Sequence, residues 1–296
     1  MIFLSSSCFK KNNIKEVLDL ALEYDFKNIE LSGGCQYTES CIEDLLDYKK
    51  KYGFNYLVHN YFPPPEEDFI LNISSQNTAL RQKSVEFARK SIKVSYLLGS
   101  PIYTIHTGYL TDLHLSHDGE HFLPDRDYVN VRRDVAIKCL IDSVEILCNY
   151  ASTFNIHIGL ENLFPESSKY NFSLMCALED IDEILSYFST INNLGILLDL
   201  GHAYLSSKLL NFNLNHFLNV LMSKYKEKII ELHLSDNNGK KDIHLVPEIN
   251  SWMDKLIIKE NLKSIPITIE SRGSKLPRIQ KYVDSLKRKG INDENQ

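Results

Sequence analysis

The sequence predicts an α/β protein with one domain over residues 1–296, folded as a closed (β/α)8 barrel. Eight short runs of apolar and β-branched residues alternate with segments whose apolar residues recur at helical spacing. The runs are almost continuously apolar, as in parallel strands that helices cover on the outside. No Pro-rich, Gly-rich or low-complexity linker interrupts this alternation. Eight such units in a chain of this length fit one barrel.

The elements follow one another in a regular order. The predicted strands cover residues 2–6, 27–32, 55–59, 102–106, 156–161, 194–199, 229–234 and 265–270. After the first strand, Ile14, Val17 and Leu18 recur at helical spacing. Longer helices are predicted over 76–98, 127–153, 178–190, 212–225, 250–260 and 276–288.

An open, doubly wound sheet is the alternative architecture. That fold would place a glycine-rich, phosphate-binding turn directly after the first strand. The residues that follow the first strand here, Ser5 to Lys10, contain no glycine. The closed barrel is therefore the favoured prediction.

Six of the predicted strands end in a histidine or a carboxylate. These residues are His59, His106, Glu161, Asp199, His233 and Glu270. Burial of an ionisable group at the end of an apolar strand is costly unless a partner compensates its charge. The C-terminal ends of barrel strands meet on one face, where enzymes of this architecture carry their active sites. We therefore expect these side chains to converge on one site.

Four of these strand ends form a candidate metal site: Glu161, Asp199, His233 and Glu270. Three carboxylates and an imidazole cannot lie close together without neutralisation, because like charges repel strongly in a cleft of low dielectric constant. A divalent cation would supply the positive charge that neutralises these carboxylates. Oxygen-rich ligation with one nitrogen favours Mn²⁺, with Mg²⁺, Co²⁺ or Zn²⁺ as alternatives. The competing interpretation is four separately capped or salt-bridged strand ends.

Further side chains are candidates for additional metal or substrate ligands. They are His59, His106, His202, Asp242, His244, Glu30 and Arg272. His202 would fold back over the site after a turn at Gly201, and Arg272 would recognise an anionic substituent. Simpler roles compete with these, namely histidines bonded to the backbone, a helix cap at Asp199, a solvated loop around Asp242 and a surface arginine. The long loop from Thr107 to Pro124 is of a kind that often acts as a lid, and the histidines in its part 111–124 (His114, His117 and His121) are expected to be solvated.

Composition limits the partners and the compartment. The net charge of −6 disfavours a nucleic-acid partner, which would select a basic face. No apolar run is long enough to cross a membrane, and the N-terminus lacks the apolar segment of a signal peptide. The six cysteines form no CxxC pair. A cytoplasmic protein with reduced thiols is expected.

Several motifs together resemble a known family. They are Ile29-Glu-Leu-Ser-Gly, His59-Asn-Tyr-Phe-Pro-Pro-Pro, Ile105-His-Thr-Gly, Gly159-Leu-Glu-Asn-Leu, Asp199-Leu-Gly-His-Ala, the stretch from His233 to His244, and Ile269-Glu270. In this order they resemble the xylose isomerase-like TIM barrel superfamily, in particular its sugar phosphate isomerase/epimerase group. The resemblance implies a metal site formed by the four strand ends, and substrate roles for His202 and Glu30. One departure is that Leu245 to Asn250 lacks the glycine-containing turn usual there.

The resulting hypothesis is a divalent-metal-dependent isomerase or epimerase of a sugar or sugar phosphate. The cation would stabilise the enediolate that forms when a proton leaves the carbon next to a carbonyl. Glu161 and Glu270 are the predicted catalytic pair, one removing the proton and the other returning it. The expected partner is a small sugar, and barrels of this kind often pair, so a homo-oligomer is expected.

Two other functions remain open from the sequence. Endonuclease IV, a zinc enzyme that cuts DNA at abasic sites, belongs to the same superfamily and uses nine ligand positions. Those positions can be filled here by His59, His106, Glu161, Asp199, His202, His233, Asp242, His244 and Glu270. The acidic balance and the lack of Lys- or Arg-rich loops after the strands disfavour DNA. A catalytically silent binding protein on the same barrel is the second alternative.

Overall fold

Eight parallel strands close into a barrel in the computed structural model, which describes residues 1–115, 122–124, 132–168 and 171–291. The strands, in chain order, are β1 (Ile2–Ser5), β2 (Asn28–Leu31), β3 (Asn55–His59), β4 (Ile102–His106), β5 (Leu113–Leu115), β6 (Phe122–Pro124), β7 (His157–Glu161), β8 (Leu194–Asp199), β9 (Ile229–Leu234) and β10 (Ile267–Ile269). The barrel order is β1-β10-β9-β8-β7-β4-β3-β2, while β5 and β6 form a separate antiparallel pair. Pairing of β1 with β10 closes the barrel, with Ile2 opposite Ile267.

Helices follow the barrel strands and cover the outside. They are α1 (Ile14–Glu23), α2 (Cys41–Tyr52), α3 (Thr78–Leu98), α4 (Arg133–Ser152), α5 (Leu178–Tyr187), α6 (Leu200–Leu209), α7 (Leu214–Tyr225), α8 (Trp252–Lys259) and α9 (Leu276–Arg288). Asparagine side chains cap three of these helices at their first turn, since Asn13, Asn77 and Asn213 accept hydrogen bonds from backbone N–H groups. Within the described ranges, no helix has both the length and the apolar content needed to cross a membrane.

The predicted barrel is confirmed. Its first and last strands pair with each other, and this pairing excludes an open sheet. Two helices were not predicted, α2 and α6. Helix α6 shows little helical periodicity because seven of its ten residues are buried, on several sides of the helix. The hairpin β5–β6 was not predicted either, because it lies within the segment interpreted as a lid. The helix predicted over 127–153 begins at Arg133, and residues 127–131, like His117 and His121, lie outside the described residues.

The barrel interior has an apolar end and a polar end. Phe3, Leu57 and Ile102 form a small apolar cluster, separate from the large core between strands and helices. Leu57 precedes His59 by two residues and Ile102 precedes His106 by four, so each pair shares the inward face of its strand. The apolar cluster therefore fills the N-terminal end of the barrel, and the ionisable side chains fill the C-terminal end.

Candidate metal site at the C-terminal end of the barrel

Asp199 combines two of the roles that the sequence left as alternatives. It ends β8 and caps α6, since its Oδ1 accepts a hydrogen bond of 2.7 Å from the backbone N–H of His202. Its other oxygen, Oδ2, is buried and has no hydrogen-bond partner among the described residues. Oδ2 lies 3.8 Å from Nδ1 of His233 and 3.9 Å from Nδ1 of His202. The cap thus fixes the carboxylate with one oxygen directed into the site.

Glu161, at the end of β7, is surrounded by three of the predicted histidines. Its Oε2 lies 3.4 Å from Nε2 of His59 and 3.2 Å from Nε2 of His106. Its Oε1 lies 3.1 Å from Nδ1 of His202. The carboxylate is 1% exposed and so depends on these neighbours rather than on water.

His233, on β9, lies between two layers of carboxylates. Its Nδ1 is 3.5 Å from Oε2 of Glu270 and faces Asp199. Its Nε2 is 2.6 Å from Oε2 of Glu30, and both of these side chains are fully buried. Glu30 therefore lies behind His233, in the barrel interior, where it orients the imidazole.

Asp242 and His244 lie in the site, and the interpretation of this segment as a solvated loop is wrong. Oδ2 of Asp242 is 2.5 Å from Nε2 of His244 and 3.5 Å from Nε2 of His202. Nδ1 of His244 is 3.8 Å from Oε2 of Glu270. Arg272, whose side chain is about half exposed, contacts Nε2 of His244 and lies 3.9 Å from Oε1 of Glu270.

The loop that carries His244 is held by a glycine from a neighbouring loop. Gly273 donates its N–H to the carbonyl of His244 at 2.8 Å. A Cβ atom at Gly273 would lie 2.4 Å from the carbonyl oxygen of Ile243, so no larger residue fits without a backbone shift. The loop after β10 therefore lies in direct backbone contact with the segment that carries His244.

The side chains of the site bring several ionisable groups together in a buried place. Burial and the neighbouring charges shift several of their pKa values. Burial lowers the pKa of His59 to about 4, so its ring is neutral. Burial raises the pKa of Asp199 to about 6. Burial alone would also raise the pKa of Glu161, but His106 and His59 outweigh it and hold that pKa below its usual value. Burial opposes the charge on His233, yet Glu30 and the other carboxylates raise its pKa well above the ordinary value.

The donor atoms suit a divalent cation. Buried atoms without a hydrogen-bond partner in the described chain include Glu161 Oε2, Asp199 Oδ2, His233 Nδ1, Asp242 Oδ1 and His244 Nδ1. Such atoms are rare in folded proteins unless an ion or water satisfies them. Each group of three that the site contains has its donor atoms within 4.8 Å of one another. That spacing fits ligand bonds of about 2.0–2.2 Å to a common ion.

The groups share members. They are His59 with His106 and Glu161, Glu161 with Asp199 and His202, Asp199 with His233 and Glu270, and Glu30 with His59 and His233. Glu161, Asp199, His59 and His233 each belong to two groups. Of the four predicted strand ends, Asp199, His233 and Glu270 share one group, whereas Glu161 is grouped with Asp199 and His202 and with His59 and His106.

Sequence reasoning missed a polar layer directly beneath these ligands. Glu231, on β9, is fully buried and accepts hydrogen bonds from Thr268 at 2.8 Å and from Thr104 at 3.2 Å. The alternation of side chains along each strand is the signal that could have revealed this layer. Thr104, Glu231 and Thr268 each precede a predicted site residue by two positions and so share its inward face. Asn162 was also missed; its side chain bonds the backbone N–H and C=O of Asp199, joining the ends of β7 and β8.

The family follows from comparison with known proteins. The family model described as xylose isomerase-like TIM barrel matches residues 18–288, so the chain belongs to that family. Two proteins of Methanocaldococcus jannaschii are similar along most of their length. Uncharacterized protein MJ1614 is 28% identical over 278 residues, covering 93% of this chain and 92% of its own. Uncharacterized protein MJ1311 is 27% identical over 277 residues, covering 91% of this chain and 83% of its own.

Solved structures with the same fold are sugar epimerases and related proteins. A D-tagatose 3-epimerase-like protein superposes with a TM-score of 0.71 at 23% identity, covering 98% of this chain and 99% of that one. The 3-keto-D-glucoside 4-epimerase of E. coli gives 0.66 at 16% identity, with 97% of each chain covered. The D-psicose 3-epimerase of Clostridium cellulolyticum gives 0.64 at 11% identity, covering 97% and 96%. At these identities the likeness establishes the fold.

Proposed function

We propose that this protein is a divalent-metal-dependent isomerase or epimerase that moves a proton next to the carbonyl of a sugar or sugar phosphate. The observation that carries the proposal is the pair Glu161 and Glu270. The two buried carboxylates end β7 and follow β10, and between them lie β8 and β9 with Asp199 and His233. The names of the structural neighbours, several of them sugar epimerases, support the same class of reaction.

The two carboxylates have the protonation state that a base requires. Burial opposes their ionisation, but neighbouring imidazoles outweigh it and lower the pKa of both groups. Either can then accept a proton from carbon, and the other, after taking up a proton from solvent, can return it to the same or the neighbouring carbon. The first carboxylate then releases its proton to solvent, which restores the starting state. Because the two groups lie on different sides of the mouth, removal and return can occur on opposite faces of the substrate. That outcome is an epimerisation.

The metal site would be formed by Glu161, Asp199, His233 and Glu270, with Mn²⁺ as the first expectation. A bound divalent cation supplies positive charge that lowers the energy of an enediolate. His106 is the least buried of the site histidines, with a side chain 28% exposed, and it would donate to a substrate oxygen. Arg272, whose side chain is about half exposed, would bind an anionic substituent such as a phosphate.

Isotope exchange tests the proposal whichever sugar is the substrate. The metal-loaded protein is incubated in D₂O with a panel of ketoses, aldoses and their phosphates, and deuterium at the carbon next to the carbonyl is followed by NMR. We expect exchange, accompanied by an epimer or isomer, for at least one sugar. A fully metal-loaded protein that exchanges no proton from any member of the panel would contradict the proposal.

A second candidate function is phosphodiester hydrolysis of the endonuclease IV type. The observation that favours it is the sharing of Glu161 and Asp199 between neighbouring ligand groups, with Asp242 and His244 completing nine donors. Clusters of neighbouring cations are typical of phosphodiester cleavage. The net charge of −6 opposes DNA binding. Incision of an abasic duplex, together with three zinc ions per chain by elemental analysis, would establish this function instead.

A further inference from the structure

A chain of hydrogen bonds beneath the candidate metal site joins three strands. Oγ1 of Thr104 on β4 lies 3.2 Å from Oε2 of Glu231 on β9 and 3.0 Å from Nδ1 of His59 on β3. Thr104 and Glu231 have no exposed surface, and His59 is 3% exposed. We call these three side chains the interior relay. Bulk solvent does not reach these side chains, so their polar atoms depend on partners inside the barrel.

The direction of each hydrogen bond in the interior relay follows from the hydrogens available. The Glu231 carboxylate has only acceptor positions, so Thr104 donates its single hydroxyl hydrogen to it. The oxygen of Thr104 then has only lone pairs left for His59, and Nδ1 of His59 must carry the hydrogen. A neutral imidazole has one N–H, so Nε2 of His59 retains a lone pair.

That lone pair faces the site. Nε2 of His59 lies 3.4 Å from Oε2 of Glu161, an oxygen with no hydrogen-bond partner in the described residues. With the hydrogen on Nε2 instead, His59 would donate to Glu161 and could not ligate a cation. The tautomer of one buried ring therefore decides whether this position binds a metal.

The position of Thr104 is itself fixed by packing. Gly159 lies opposite Thr104 in the pairing of β4 with β7. A Cβ atom at Gly159 would lie 2.6 Å from Cγ2 of Thr104, so the glycine provides the space that the threonine methyl group fills. Glu231 is held from the other side by Thr268, at 2.8 Å. The relay is thus built into the barrel wall rather than into a loop.

We propose that Glu231 and Thr104 are positioning residues that hold His59 in the Nδ1–H tautomer and thereby make its Nε2 a ligand for a cation in the group of His59, His106 and Glu161, beside the four strand ends. The purpose of the relay rests on the proposed metal dependence, whereas the tautomer is a property of the metal-free protein. The two can therefore fail separately. A protein that exchanges no sugar proton would refute the proposed function and leave the relay intact.

The tautomer is measured first, on chelator-treated protein labelled with ¹⁵N-histidine. Two-bond ¹H–¹⁵N correlation spectra distinguish a protonated from a bare ring nitrogen, and His59→Gln assigns the signals. We expect a protonated Nδ1 and a bare Nε2. A wild-type ring that carries its hydrogen on Nε2 overturns the proposal.

Three threonine variants then test the role in metal binding. Thr104→Val removes the relay hydroxyl at nearly constant volume, and Thr104→Ser restores a hydroxyl. Thr268→Val is the matched control, since it removes the other hydrogen bond to Glu231 without contacting His59. Titration with Mn²⁺ or Zn²⁺ should show roughly 10- to 100-fold weaker binding for Thr104→Val and binding within about threefold of wild type for the other two. Equal affinity of Thr104→Val and wild type, or an equal loss in Thr268→Val, overturns the proposal.

Glu231→Gln tests whether Glu231 fixes the direction of the hydrogen bonds in the interior relay. An amide can donate as well as accept, so Thr104 is no longer obliged to give its hydrogen to residue 231. We expect a population of His59 with the hydrogen on Nε2 to appear in the same spectra. A pure Nδ1–H signal in this variant would remove Glu231 from the relay. Thermal unfolding of each metal-free variant verifies that the fold is retained.

Discussion

Glu30 on β2 and His233 on β9 meet inside the barrel, with Oε2 of the carboxylate 2.6 Å from Nε2 of the imidazole. Two strands, β1 and β10, separate them around the wall. Nδ1 of the same ring points toward Asp199 and Glu270. A histidine that ligates a metal usually donates its other N–H to a carboxylate, which fixes the ring and raises its basicity. Glu30 would have that relation to His233 in the proposed metal site.

Replacing Glu30 by glutamine should therefore weaken metal binding. The amide keeps the shape of the side chain but is a weaker acceptor than a carboxylate for the N–H of His233, and we expect roughly 10- to 100-fold lower affinity for Mn²⁺. The free energy of unfolding of the metal-free protein should fall by about 1–3 kcal/mol, since a buried polar partner is lost. Isothermal titration and urea unfolding measure both. Glu23→Gln, an exposed change on α1, is the control, and unchanged affinity in Glu30→Gln would refute the role.

Replacing either of the two proposed catalytic carboxylates by glutamine should nearly abolish turnover. Glu161→Gln and Glu270→Gln each remove a group that accepts or returns the proton, a contribution of roughly 10²–10⁴-fold. The deuterium-exchange assay measures the loss, and metal content is determined beside it because both residues are proposed ligands. Glu248→Gln, at an exposed carboxylate, should retain wild-type activity. If either active-site variant kept most of its turnover, the two-carboxylate scheme would be wrong.

Metal binding should strengthen as the pH rises. Carboxylates raise the pKa values of His202 and His233 well above the ordinary value, so both rings hold a proton near neutrality in the metal-free protein. A cation requires unprotonated nitrogens, and protons therefore compete with it until the pH exceeds these raised pKa values. Titration calorimetry in buffers of different ionisation enthalpy should detect proton release. Affinity that stays constant between about pH 6 and about pH 8 would contradict this expectation.

Loading with metal should stabilise the fold. A cation that binds only the folded chain, at a free concentration of roughly 100 times its Kd, adds about 2.7 kcal/mol to the free energy of unfolding. Chelator-treated protein should accordingly melt at a lower temperature than protein supplied with Mn²⁺. Differential scanning calorimetry with Mn²⁺, Mg²⁺, Co²⁺ and Zn²⁺ in turn ranks the ions. No shift with any of them would argue against a metal site.

Alanine at position 201 should destabilise the protein and disturb His202. Gly201 lies in the first turn of α6, where a Cβ atom would approach the carbonyl oxygen of Ser235 to 2.7 Å. Alanine favours helix by about 1 kcal/mol, but relief of the contact needs a backbone shift, so we expect a net loss of about 1–3 kcal/mol. Gly33→Ala is the control, since its Cβ would meet only ordinary contact at 3.7 Å. Chemical denaturation measures the free energy of unfolding of both variants, and we expect the loss in Gly201→Ala and not in Gly33→Ala.

The positions of the strand ends could be predicted directly from the sequence. An apolar run that stops at His59, Glu161 or Asp199 identifies both a strand and an inward-facing polar group, because a parallel barrel buries its strands on both faces. The prediction of a turn at Gly201 was wrong for a related reason. Asp199 caps a helix that starts immediately, and burial on several sides of that helix removes the periodicity by which it would be recognised.

Sequence alone thus determined the barrel and the set of side chains directed toward its C-terminal mouth, because alternation along each strand fixes which residues point inward. Only the tertiary structure decided which of them meet. The register and tilt of a closed barrel bring together inward residues of strands that are distant in the chain. Glu30 therefore reaches His233, and Glu231 reaches both Thr104 and Thr268. No local sequence pattern predicts those distances, since each depends on how all eight strands close into the barrel.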